Sequence, residues 1–383
     1  VAGFRLSGWM RDSQLFLSLP RPPKLTFEAL LRSSLGLQEA VLQKVSEPED
    51  EGLHRAAWTE TLAELDKHWI WEDNTGDLSG KVIAHRFGLQ QGEKVRVIDN
   101  FKLCGLNDSC GLPEKFTLHG VDFIAASLIR ALVLRDQGHQ VCLKGKTFDL
   151  KSAYKQYPLH SKDRAHLRIA IRDPDSNEPK LFGLNSLPFG ATGSVAGFLR
   201  VSSALFFILS AGLQVWCSAF FDDFPTMSVA ALSKSTDQCV GLLFDMLGIQ
   251  FAKEGKKSQA FGPEMKALGL IFDLSQFDEG VVYIKHTPER RAELLAKINS
   301  ILEQDSLTPK EAESFRGRIQ WFESYLFGRI ANLSLHRIGK RAQQKGSKTK
   351  SKLDDELRSS LIFLRTRVQT GSPLLLTDRK SVV

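Results

Sequence analysis

Cysteine is scarce in this chain of 383 residues, and what there is fits neither disulfide nor zinc chemistry. The five cysteines, at 104, 110, 142, 217 and 239, are odd in number and form no CxxC pair and no Cys/His cluster of zinc-ligand spacing. A reduced compartment, cytoplasmic or nuclear and not secretory, is expected from that usage. The opening residues VAGFRLSGWMRDSQLF lack an initiator Met and the basic-then-apolar pattern of a signal peptide, so they read as the edge of a fragment. Strands and helices alternate without a Gly-rich phosphate loop, no internal repeat is found, and no Ser, His or Cys nucleophile is evident. Residues 204–221 carry 18 uncharged residues, but Gly212 and Gln214 interrupt them and Asp222 and Asp223 follow directly. The first half reads as helix and the second as strand, so no membrane span is expected there.

Hydrophobic residues at 42% and charged residues at 25% are ordinary values for a folded globular protein. Fifty-one Lys and Arg against 44 Asp and Glu give a net charge of +7, a modest excess compatible with a polyanionic partner. At this length more than one subdomain is expected.

Helical periodicity covers 24–70, with the acidic spacer SEPEDEG between two amphipathic runs. From 80 to 107 the pattern alternates as in strands (KVIAHRFGLQ, KVRVIDNFKL) around the polar turn QGEK, which predicts a hairpin. A helix over 119–138, the strand VCLKGKTFDL, the short helical run KSAYKQY and a hairpin about DPDSNEP come next. The link LPFGATGS leads into an apolar helix to about 211, and QVWCSAFFDD reads as a strand. An amphipathic helix (LSKSTDQCVGLLFDMLG), a strand pair (KALGLIFDL, GVVYIKH) and helical patterning over 287–337 complete the pass. Residues 337–352 carry seven Lys or Arg and no acid, and read as a mobile basic linker. The last residues, GSPLLLTDRKSVV, read as the start of something cut off.

The chemistry gathers around carboxylates. Asp222 and Asp223, in AFFDDFP, sit among large apolar residues, where two negative charges repel and lose water together. A solvated Asp-Asp turn with an Asx cap is one reading, and a divalent cation that removes the repulsion is the other. Asp149 also ends an apolar strand, KTFDL, and precedes a short helix. Two such strands side by side would gather three carboxylates. With two ions about 3.5–4 Å apart, such a set activates an attacking hydroxyl and stabilises a leaving pyrophosphate. Phosphoryl transfer then depends on positioning and charge neutralisation, with no side-chain nucleophile.

FDLKSAYKQYPL, LPFGATGSVAGF and FFDDF, in this order and spacing, resemble the successive motifs of the reverse transcriptase palm. KVRVIDNFKLCGLN resembles the fingers motif before them, and LGIQFAKEGKK and ALGLIF resemble the later lysine-bearing and primer-grip elements. The resemblance covers about 80–330, and LPFG with FRGRIQWFESYLFGRI is most similar to retrotransposon enzymes of the LTR or tyrosine-recombinase (DIRS-like) type. It implies an α+β right-hand polymerase with a ferredoxin-like palm sheet: a helical N-terminal extension over 1–79, fingers over 80–148, palm over 149–275 with a fingers insertion at 160–190, thumb-like or connection helices over 276–336, and a basic linker with a truncated tail over 337–383. Implied partners are a primed RNA or DNA template and deoxynucleoside triphosphates, and the implied cofactor is two Mg2+ ions, with Mn2+ as a substitute.

Carried over by position, the resemblance makes Asp149 and Asp222 the main metal ligands, with Asp223 as the third and the Leu150 carbonyl assisting. Tyr154 matches the aromatic that excludes a 2′-hydroxyl, although a packed core tyrosine would look the same. Phe189 and Gly190 match nucleotide contacts. Lys94 and Arg96, two apart on a strand, would hold the triphosphate from one face, or else form a solvated face. Lys256 or Lys257 matches the lysine beside the pyrophosphate. Gly193, Ser194 and Phe198 match positions near the templating base, and a helix start with Ser and a buried Phe explains them equally well. Phe220 stands where the family has Tyr, and Arg379 breaks the likeness of the tail to the first strand of a ribonuclease H domain. A decayed retroelement fragment that binds nucleic acid without turnover is the competing expectation. A palm-type nucleotidyl cyclase would share the paired carboxylates but leaves Tyr154 and LPFG unexplained.

Overall fold

The structure, a computed structural model, describes residues 2–47, 50–92, 94–136, 142–255, 258–323, 325, 330–344 and 351–377. The chain is α+β and divides into two compact units, neither continuous in sequence. The first comprises residues 1–118, 149–212 and 242–252, and the second 119–148, 213–241 and 253–383.

The first unit is built on a five-stranded sheet in the order Ile70–Glu72, Pro179–Leu184, Leu167–Arg172, Val82–Gln91, Lys94–Asn100. The expected hairpin is its edge: Val82–Gln91 and Lys94–Asn100 pair antiparallel from Gln91↔Lys94 to His85↔Asn100. The hairpin about DPDSNEP is there too, running from Arg172↔Pro179 to Arg168↔Gly183. Trp71 lies flat over Gly183, where a Cβ would come within 2.1 Å of the indole ring, so this pairing requires glycine.

Residues 27–72 are not an appendage to this unit. The helices Phe27–Ser46 and Glu51–Asp66 are capped by Thr26, whose Oγ1 accepts from Ala29 N–H at 3.1 Å, and by Asp50, which accepts from Leu53 N–H at 2.9 Å. Their apolar faces, with Leu30, Val41, Val45 and Ala57 almost fully buried, cover the Val82–Gln91 strand, and Ile70–Glu72 adds a strand to the sheet. A second, three-stranded sheet joins Gly8–Trp9, Cys110–Lys115 and Leu17–Arg21. The run Thr192–Gly212 is long and apolar enough to cross a membrane by length and composition, yet Ala196, Phe198, Leu199, Leu205 and Leu209 are buried within the unit. The expected change from helix to strand falls just beyond it, where Gln214 takes a left-handed conformation (φ 54°) before Trp216–Cys217.

The second unit holds two sheets and a helical bundle. Leu143–Asp149 (whose last residue is the first of the next segment of the first unit), Asp223–Val229 and Trp216–Cys217 form one sheet, with Asp223–Val229 in the middle. Glu264–Ala267, Leu270–Asp273, Val281–His286 and Leu374–Thr377 form the other, antiparallel throughout. KALGLIFDL is therefore two strands and not one. Leu268 (φ 54°) and Gly269 (φ 72°) are both left-handed, which makes the two-residue turn that reverses the chain with the right twist. The helix Val121–Asp136 contributes Ile124, Leu128 and Leu132 to the core over this sheet.

Of the basic segment 337–352, expected as a linker, residues 345–350 lie outside the described residues. Residues 337–342 belong to the helix Asn332–Ala342, in which Ile338 and Arg341 are buried, and Arg341 donates to the Lys352 carbonyl at 2.9 Å. The helix Asp355–Thr370, capped by Asp354, follows it and packs with Pro288–Glu303 and Pro309–Glu323 around Leu294, Ile298, Phe315, Leu361 and Leu364. The tail strand Leu374–Thr377 pairs with residues 281–284 as the outer strand of this sheet.

His286 carries a pH dependence into this unit. Its ring stacks on Phe322 at 3.7 Å, its Nε2 donates to the Phe322 carbonyl at 2.7 Å, and Tyr325 meets it edge-on at 4.6 Å. Burial, reinforced by Arg291 and Arg290, lowers its pKa to about 4. The unfolded imidazole protonates near 6.5, so the stability His286 confers is complete above that pH and is lost as pH falls toward 4. Allowing for solvent screening, the unfolding free energy should drop by about 1–2 kcal/mol between pH 7 and pH 5. His286→Gln, which keeps a donor for Phe322, should flatten that slope in chemical denaturation at the two pH values; an unchanged slope would assign the effect elsewhere.

Candidate active site

The expected metal ligands occupy strand ends. Asp149 is the last residue of Leu143–Asp149 and Asp223 the first of Asp223–Val229, and these strands are neighbours in one sheet. At the opposite end Ala230 N–H donates to the Cys142 carbonyl at 2.8 Å, which makes the pair antiparallel. All three aspartates are half-buried. Among the described residues no group of three or more His, Cys, Asp and Glu side chains stands together as a metal cage.

Asp222 sits in a tight turn. Phe220 and Asp223 exchange both backbone hydrogen bonds, Phe220 N–H to Asp223 O at 2.9 Å and Asp223 N–H to Phe220 O at 3.0 Å, leaving Phe221 and Asp222 as a two-residue loop. Phe221 is left-handed at φ 52°. For a bulky L-residue that costs roughly 1–2 kcal/mol, and such outliers persist where the surroundings enforce them and cluster at functional sites. The hairpin is braced by His119, a residue that no sequence pattern marked. Its Nδ1 accepts from Ala219 N–H at 3.1 Å, its own N–H donates to Ala219 O at 3.3 Å, and its ring stacks on Phe123 at 4.0 Å. Accepting at Nδ1 needs the neutral ring, and burial lowers the His119 pKa in that direction.

After Asp149 the chain pairs with residues 250–252: Ala252 N–H donates to Asp149 O and Lys151 N–H to Gln250 O, each at 2.9 Å. Leu150, opposite Phe251, makes neither bond, so its carbonyl faces the other side of the strand. Ser152 then turns left-handed (φ 48°) and starts the single 3-10 turn Ala153–Gln156 that carries Tyr154.

Tyr154 is 9% exposed, with its ring centroid 4.8 Å from those of both Phe189 and Phe198. Three expected site residues are thus one aromatic stack, and Phe198 is fully buried in it. Ser194 is not the helix cap; that position is Ala191, and Ser194 lies buried inside the first turn. The LPFG loop is fastened to the edge strand: Asp99 N–H donates to Phe189 O at 3.2 Å, Asn107 Nδ2 to Gly190 O at 3.0 Å, and Thr192 N–H to Asn107 Oδ1 at 2.8 Å. Gly190 has φ 102°, and a Cβ there would lie 2.1 Å from the Asp99 carbonyl oxygen. Gly190→Ala should therefore cost about 3 kcal/mol in thermal or urea unfolding. Gly92→Ala, left-handed but with open space around it, should cost only about 1. Equal losses would mean that the close approach to Asp99 is not enforced.

Lys94 and Arg96 are exposed on the edge strand with Val95 between them less so, the alternation expected of one outward face. Lys256 and Lys257 lie outside the described residues. No known family model matches the sequence, and no curated protein is significantly similar to it.

Proposed function

We propose that the chain is an RNA-directed DNA polymerase that extends a primer 3′-hydroxyl with deoxynucleotides. The observation that carries this reading is the sheet in which the strand ending at Asp149 neighbours the strand beginning at Asp223, one residue after Asp222 in a strained two-residue turn. The donor set suits a hard cation. Three carboxylates with the Leu150 carbonyl offer only oxygen, and Mg2+ is commonly held by one or two carboxylates together with substrate phosphates, so no preformed cage is required. When bound, two such ions would supply activation of the primer hydroxyl and neutralisation of the leaving group.

In this reading Asp149 and Asp222 are the main ligands and Asp223 the third. Lys94 and Arg96, on one outward strand face, meet the triphosphate by point charge and by fork geometry. Tyr154, held on two sides by Phe189 and Phe198, presents a fixed ring edge to the sugar. Gly190 lets the backbone of the loop come close to its neighbour without a side chain between.

Purified protein, a primed RNA template, dNTPs and Mg2+ supply the test. Primer extension that stops with EDTA is the expected result. Salt-dependent binding of primer and template with no extension would instead support a binding module that has lost turnover, because phosphate contacts do not depend on metal chemistry.

A further inference from the structure

Beneath the aromatic stack lies a cluster of four charges from distant parts of the first unit. Arg86, 1% exposed, donates through Nε to Asp99 Oδ1 at 2.7 Å and through Nη2 to Asp99 Oδ2 at 3.2 Å. The same Nη2 lies 2.9 Å from Glu64 Oε2, and Nη1 donates to Thr61 Oγ1 at 3.2 Å. Lys155 Nζ reaches Glu64 at 2.9 Å. Two carboxylates face two cations, so the cluster is neutral, and every member is almost fully buried. Burial raises the Glu64 pKa, but Arg86 and Lys155 more than offset it and hold the carboxyl below its usual range.

The cluster touches the nucleotide-binding elements at two points. Asp99 carries Phe189 on its N–H and Gly190 against its carbonyl. Lys155 is the residue after Tyr154 in a 3-10 turn of only four residues. In and next to that turn Lys155 N–H donates to Ser152 O and Tyr157 N–H to Tyr154 O. Gln156 tethers its other side through Nε2 to Lys151 O and Gln250 O at 2.6 and 2.9 Å and by accepting from Gln250 N–H at 2.7 Å, which leaves Lys155 as the anchor on the buried side. So short a helix has little rigidity of its own, and a side chain pulled inward at one position fixes how it is rotated. Lys155 is such an anchor, and Glu64, from the helix Glu51–Asp66 that the sequence assigns to an N-terminal extension, is what it is anchored to.

We propose that Glu64 is a positioning residue for deoxynucleotide selection: through Lys155 it fixes the rotation of the Ala153–Gln156 turn and so the plane of the Tyr154 ring. This rests on the polymerase reading above. Glu64 touches no substrate in it, and its effect passes through a side chain that is itself buried. Burial already lowers the Lys155 pKa, and without Glu64 its amine loses the bond that holds the turn, which is then free to rotate.

The test is primer extension by the full chain with Glu64→Gln and, separately, Lys155→Met, with both variants checked for folding by circular dichroism and thermal melting. KM for the dNTP should rise roughly tenfold and discrimination against the matching ribonucleotide should fall by a similar factor, because the position of the ring and not the chemistry is disturbed. kcat at saturating dNTP should stay within about twofold. Glu64→Asp, which keeps the charge one methylene shorter, should restore most of the discrimination. A folded Glu64→Gln with wild-type KM and discrimination overturns the inference while leaving the polymerase reading intact. If neither variant folds, the charges serve only the fold and the inference falls. If the wild-type chain does not extend a primer, the polymerase reading fails first and takes this inference with it.

Discussion

Asp222→Asn should lower primer extension by about a thousandfold or more, because one carboxylate ligand is removed from a reaction that depends almost wholly on charge neutralisation and positioning. The substitution is close to isosteric and Asn tolerates turn conformations, so the Phe220–Asp223 hydrogen bonds should survive it. A second readout separates a ligand from a structural residue. Asp222 and Asp223 are adjacent, half-buried and of one sign, so without metal they repel. Neutralising one should leave the thermal midpoint in EDTA unchanged or raise it, whereas losing a structural carboxylate would lower it. Mg2+ should stabilise the wild type and have less effect on the variant, since a ligand that binds only the folded state raises its stability by mass action. Binding to primed RNA should persist with its ordinary salt dependence. Wild-type extension by Asp222→Asn would remove the metal assignment altogether.

The end of the Asp149 strand and the 82–100 hairpin were legible in the sequence, because each rests on local pattern, whereas the stacking of Tyr154 on Phe189 and Phe198 was not. KTFDL is an apolar run that stops at acid, and residues 82–100 alternate about a polar turn. But QVWCSAFFDD, read as one strand, is the strand Trp216–Cys217, a turn at Phe221 and Asp222, and the start of a new strand at Asp223. What the pattern could not show is what an apolar face packs against. Residues 24–70 carry clear helical periodicity, which says that one side is covered and leaves open whether a neighbouring sheet does the covering; hence they read as part of an extension. The turn at Leu268 and Gly269 hides in an unbroken apolar run, since it is Leu that takes the left-handed conformation beside Gly. The helix Asp355–Thr370 was obscured by the basic residues before it, although Asp354 offers a cap and Leu357, Leu361, Leu364 and Val368 recur at helical spacing.

The buried charges were the least legible of all. Glu64 and Lys155 are 91 residues apart, and Arg86 sits between His85 and Phe87 on a strand. In one sequence each reads as an ordinary solvated charge, because burial of an ion depends on a partner that only the fold brings near.

Arg86→Met is the second large effect. The guanidinium is fully buried and pairs with Asp99, 1% exposed, and Glu64, 4% exposed. Met fills much the same volume, so little of the loss should come from a cavity. The loss comes from what is left behind. Glu64 keeps Lys155, but Asp99 loses the bidentate partner on both its oxygens and must either stay charged in a poor environment or take up a proton. Breaking a buried pair from one side typically costs about 3–5 kcal/mol, and a fall of that size is expected in urea unfolding followed by tryptophan fluorescence. Arg86→Met with Asp99→Asn should recover a good part of it, giving a coupling energy of about 1 kcal/mol or more between the two sites. Strictly additive losses would mean that the pair is incidental to the fold. The same comparison separates two kinds of consequence. Because Asp99 supports the LPFG loop through its backbone, repairing its charge should restore stability, while nucleotide selection should follow Glu64 and Lys155, which reach Tyr154 by a different route.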